Sequence, residues 1–108
     1  MRIYKIEPNT EAEFVTIGDD LDSMQAVVGG NIQAIYFANG CTFWMNEDGK
    51  GLGLQLNKVA TMFAKVDIGL FEGDYIAGTA FITGPEDDEG NTVDCPHVIA
   101  TMCADANL

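Results

Sequence analysis

The chain has 108 residues, 47% of them hydrophobic, with seventeen acidic side chains against five basic ones, a formal charge of −12 and a pI near 4.1. That length makes one domain with a real core and no need of staples. The charge disfavours direct binding of nucleic acid or an anionic membrane, since phosphate contacts need Lys and Arg to displace counterions.

In chain order, residues 1–7 read as a first strand, and Pro8-Asn9-Thr10 turns the chain. Residues 13–17 alternate well enough for a second strand. Asp19 or Asp20 caps a short helix on which Leu21, Met24 and Val28 recur at helical spacing, and Gly29-Gly30 closes it. The sharpest local signal follows. Residues 32–38 and 41–46 flank Asn39-Gly40, the dipeptide best suited to a two-residue hairpin turn. A two-residue loop sets Ala38 opposite Cys41, Tyr36 opposite Phe43, Ala34 opposite Met45, Phe37 opposite Thr42 and Ile35 opposite Trp44. Both faces of that hairpin are substantially apolar, so something should cover the second: a helix of the same chain is the simplest cover, and a subunit partner or a ligand is the alternative.

Residues 46–51 form a tight polar loop. Asn57 caps a second helix carrying Val59, Met62, Phe63 and Val66, and residues 67–74 connect it to a long strand over residues 75–84. Small residues in that strand (Ala77, Gly78, Ala80) invite close approach by a neighbouring element. Residues 85–92 make an acidic loop. The tail over residues 93–108 reads as a short helix, with Asp94 as cap and Cys95 or Pro96 in its first turn. This order lacks regular βαβ alternation, so the expected fold is α+β: a mainly antiparallel sheet with two or three short helices packed on it, in a single domain over residues 1–108.

The chain is poor in groups for catalysis. It has one histidine, His97, and three cysteines, an odd number that reads as reduced, buried thiols in a cytoplasmic protein. Cys95, His97 and Cys103 lack the paired spacing of a zinc site, and nothing in the sequence sets His97 beside a thiol as its base. The loop at 46–51 lacks the Gly-Lys-Ser/Thr ending of a phosphate-binding loop and the spaced acids of a calcium loop. No catalytic residue, metal or cofactor is expected.

Four stretches together resemble a family of small phage and plasmid proteins catalogued as domain of unknown function 3846. They are the opening residues 1–8; the helix ending Val27-Val28-Gly29-Gly30; Asn46-Glu47-Asp48-Gly49-Lys50 with Leu54-Gln55-Leu56-Asn57; and the strand Ile76 to Gly84 before an acidic loop. The resemblance implies a mobile-element origin, a bacterial cytoplasm and accessory status, and carries no catalytic residues.

Two functional expectations follow. The first is a non-enzymatic counter-defence protein that blocks a basic host protein, one form of which is imitation of nucleic acid. Its contact residues are Glu86, Asp87, Asp88 and Glu89, with Glu47 and Asp48. The second is an oligomeric sponge for a small nucleotide signal, with Trp44 and Tyr36 stacking on a base and Lys50 or Lys58 meeting phosphate.

Overall fold

A computed structural model describes residues 1–37, 40–70 and 72–106. The elements are β1 (Arg2–Ile6), β2 (Glu13–Thr16), α1 (Leu21–Val28), β3 (Ile32–Tyr36), β4 (Thr42–Asn46), α2 (Lys58–Phe63) running into a π-helical turn (Ala64–Ile68), β5 (Ala80–Thr83) and α3 (Val98–Ala106). The strands form one sheet in the order β2-β1-β5-β4-β3, and every neighbouring pair is antiparallel. The expected α+β class is therefore the one observed.

Each face of the sheet has its own core. On one, Tyr4, Ile6, Phe43 and Ile82 pack with Phe63 and Ala64 of the α2 region and with Ile99 and Cys103 of α3. On the other, Ile3 and Phe81 pack with Met24 and Val28 of α1, and Trp44 joins from the side. A helix of the same chain thus covers the second face of the hairpin. Asp20 caps α1, its carboxylate accepting the Ser23 N–H at 2.6 Å, and Gly29 ends it at φ +76°.

Four local expectations are corrected. The β3–β4 register differs by one residue, so Ala34 faces Trp44, Ile35 faces Phe43 and Tyr36 faces Thr42. Phe37 donates its N–H to the Cys41 carbonyl at 2.9 Å, and Gly40 at φ +76° donates to Phe37 at 3.0 Å. Three residues, not two, thus separate Phe37 from Cys41, with glycine in the left-handed last position. Of the expected turn, Ala38 and Asn39 lie outside the described residues. The one-residue difference matters because a slip exchanges the faces of a strand. In the observed register Phe43 reaches the α2 core and Trp44 stacks on Phe81.

The second correction is that the last strand is shorter than residues 75–84. Gly78 sits at φ +86°, outside the extended conformation of a regular strand, and its N–H bonds the Gln55 carbonyl at 2.7 Å. A Cβ there would come within 2.7 Å of Leu54, so the small residues do mark a close approach. Third, Asp94 does not cap α3. It accepts the Arg2 N–H at 2.8 Å while Cys95 donates to the Arg2 carbonyl at 2.9 Å, so this stretch is held along β1 and the helix begins only after Pro96. Finally, the second helix does not run on in one form, because the chain widens into the π-helical turn at Ala64 and Val66 is 63% exposed there.

All three thiols are buried in the α2-side core. Burial pushes Cys95 and Cys103 up to about 12 and raises Tyr4 above its usual value. In the unfolded chain these thiols release their protons near 9.0. The folded state's tighter hold therefore contributes stability that is complete below that pH and is lost as pH rises towards 12. The urea midpoint should fall through this alkaline range, and iodoacetamide should spare Cys95 and Cys103 at pH 8 until urea unfolds the chain. Rapid alkylation of the folded protein would contradict this burial.

Candidate functional site

The start of β1 lies between two acidic segments. On one side the Met1 amino group donates to the Ile17 carbonyl at 2.8 Å, and Asp19, Asp20 and Asp22 follow directly at the N-terminus of α1. On the other, Arg2 donates its N–H to the Asp94 carboxylate and its carbonyl accepts the Cys95 N–H, both in the segment that follows the loop at 85–92. Far apart in sequence, residues 19–22 and 86–94 thus reach the same end of the sheet. All the carboxylates named here, with Glu86, Asp87, Asp88, Glu89 and Asp94, are exposed. The cation in their midst, Arg2, turns away from them: its Nη2 donates to the Cys95 carbonyl at 2.8 Å and its guanidinium lies 5.3 Å from the Phe14 ring centroid.

The acidic loop itself is shaped. Asp87 accepts N–H groups from Asn91 at 2.8 Å and Glu89 at 2.9 Å, and Glu86 bridges Thr92. Those bonds, the Asn91 amide first, hold the Asp87 carboxyl below its usual range. Asp20 is lowered likewise by Ser23. Both stay ionised under mildly acidic conditions.

Glu47 and Asp48 do not join this group. They follow Asn46 at the opposite end of β4 from Thr42, about 17 Å away by strand rise. Their loop is pinned by Asn46, whose side chain donates to the Val28 carbonyl at 3.1 Å and accepts the Asp48 N–H at 2.8 Å. It borders a cleft of about 380 Å³ floored by Ile35, Met45 and Ile76 and edged by Asp74 and Tyr75. Lys50 is engaged there, ion-paired with Asp74 and 5.0 Å from the Tyr75 ring centroid. The Lys50 hydrogen bond, then the Tyr75 amide, keeps Asp74 below the usual carboxylate range.

The four residues of the nucleotide reading do not share a site. Trp44 stacks on Phe81 at 6.0 Å and donates to Thr83 Oγ1 at 2.9 Å, on the α1 face. Tyr36 lies on that face too, 64% exposed at the sheet edge. Lys50 opens into the cleft above, and Lys58 into a separate one of about 450 Å³ with Tyr4, Glu11 and Cys103. Both clefts lie on the other face of the sheet. As for Cys95, His97 and Cys103, the thiols are in the core while His97 is exposed and packs edge-on against Phe14 at 5.3 Å. Among the described residues no group of three or more His, Cys, Asp or Glu can hold a metal ion, and no helix is long and apolar enough to cross a membrane.

Sequence reasoning missed two things. Nothing in the spacing of Asp19, Asp20 and Asp22 signals that they lie at the same end of the sheet as the loop at 86–89, because strand order and direction put them there. Asn57 was legible only as a cap.

An antiparallel five-stranded sheet with helices on both faces, and with the acidic segments 19–22 and 86–94 at one end of it, defines a small acidic α+β protein. The chain belongs to the family described as Domain of unknown function (DUF3846), whose model matches residues 1–105. No curated protein and no solved structure matches it.

Proposed function

We propose that this is a non-enzymatic accessory protein of a phage or other mobile element, working in the host cytoplasm by occupying a basic surface of a host protein in counter-defence. The observation that supports it is the gathering of two acidic segments, 19–22 and 86–94, around the start of β1, with the local guanidinium turned inward. Along the sequence those acids look scattered. In the fold they form one carboxylate-rich end on a protein of charge −12, a field that steers and holds basic partners and mimics the charge of a nucleic-acid backbone.

The experiment is capture of the tagged protein from lysate of phage-infected bacteria, followed by native mass spectrometry. The expected product is a complex with a basic, nucleic-acid-handling host protein that dissociates as salt is raised. A retained mass of a few hundred daltons and no protein would replace this reading with that of the nucleotide sponge.

A further inference from the structure

In a chain where 20% of residues are charged, residues 23–46 carry no Asp, Glu, Lys, Arg or His. That stretch includes β3, which ends the sheet and among the described residues pairs only with β4. Natural edge strands are blunted by charge, proline or a bulge, because open N–H and C=O groups invite another strand. The opposite edge obeys this rule: β2 contains Glu13, with Glu11 just before it. The β3 edge, Ile32-Gln33-Ala34-Ile35-Tyr36, has none of these devices.

The register fixes which groups are open. Phe37 bonds to Cys41, and Glu47 to Asn31, so the odd-numbered residues of this strand direct their backbone groups at β4. By the alternation of antiparallel ladders, Ile32, Ala34 and Tyr36 direct theirs outward. This outward set is symmetric about Ala34. Two copies of β3 laid antiparallel with Ala34 opposite Ala34 match Ile32 with Tyr36 and Tyr36 with Ile32. Every outward donor then finds an acceptor, in about six hydrogen bonds. The smallest side chain of the strand falls on the two-fold axis, and the exposed Tyr36 ring covers the half-buried Ile32 of the other copy.

We infer that the β3 edge joins two copies of this chain in an isologous dimer with one continuous sheet across both. The self-complementary register about Ala34 selects a second copy over other occupants. Two bodies of −12 repel wherever their carboxylates face each other, and β3 is the sheet edge whose own strand carries no charge. The inference is independent of the proposed function.

Amide hydrogen exchange by NMR, with sedimentation velocity on the same samples, tests it. On raising the protein to about 1 mM the mass should double, and the Ile32, Ala34 and Tyr36 amides should slow by at least about 100-fold. The Gln33 and Ile35 amides, already bonded to β4, should be slow throughout. The double variant Gln33→Lys/Tyr36→Lys changes two exposed side chains, so it should keep the wild-type circular dichroism while remaining a monomer. A monomer at every concentration, a dimer in which those three amides still exchange freely, or a double variant that dimerises as well as wild type would each overturn the proposal.

Discussion

Replacing Asn57 with alanine should destabilise the protein by about 3–5 kcal/mol, the sum of a lost helix cap and two buried carbonyls left unpaired. Asn57 is 1% exposed and all of its side-chain polar atoms are used. Its Nδ2 donates to the Ile6 carbonyl at 2.7 Å, where β1 ends, and to the Gly78 carbonyl at 2.9 Å. Its Oδ1 accepts the Ala60 N–H at 3.1 Å at the start of α2. One amide therefore ties a strand, a loop and a helix together. The cap alone is worth about 1 kcal/mol, and each orphaned carbonyl costs about 1–2 more. Asn57→Ser keeps a cap acceptor and loses the two donations, so it should recover only about 1 kcal/mol of the loss. Urea denaturation of the two variants measures the difference. A total cost near 1 kcal/mol for Asn57→Ala would mean that only the cap matters.

The second large effect is on binding. Converting Glu86, Asp87, Asp88 and Glu89 together to lysine changes the charge by two at each of four positions, from −12 to −4. These side chains are exposed and pack against nothing in either core, so the fold should be kept, apart from the small turn that Asp87 organises. Association with a basic partner should slow by about 10- to 1000-fold at low salt, because steering depends on the local field. The same reversal at Glu47 and Asp48, at the far end of β4, should leave that association within about twofold, since a distance of about 17 Å exceeds the Debye length in physiological salt. Surface plasmon resonance against the captured partner reads both. Equal losses from the two variants would show that net charge, rather than the gathered end, does the recognising.

The parts of this fold that local chemistry governs were open to sequence reading. Asp20, Gly29 and Asn57 announce their helix ends because capping is decided within a few residues. The antiparallel α+β class follows from the element order, and two apolar hairpin faces do call for a helix on each. What failed was governed at longer range. The hairpin register depends on a three-residue connection and on which face Phe43 and Trp44 must fill, and a dipeptide signal does not carry that information. Asp94 looks like a cap until β1 is seen to claim it through Arg2. The strand expected over residues 75–84 is cut short because Gly78 turns to meet Leu54 and Gln55. The candidate site was half legible. Residues 86–89 stand out as a run, whereas Asp19, Asp20 and Asp22 join them only because Met1 is hydrogen-bonded to Ile17 and Arg2 to Asp94.

The central claim, that the carboxylate-rich end engages a basic surface, is tested most directly by the salt dependence of the captured complex. The dissociation constant of wild type and of the variant with lysine at residues 86–89 would be measured across a NaCl series. The account predicts that wild-type affinity falls steeply and log-linearly with salt, while the variant starts weak and shows a much shallower slope. A wild-type affinity that salt does not change, or one that the four lysines leave intact, would contradict it.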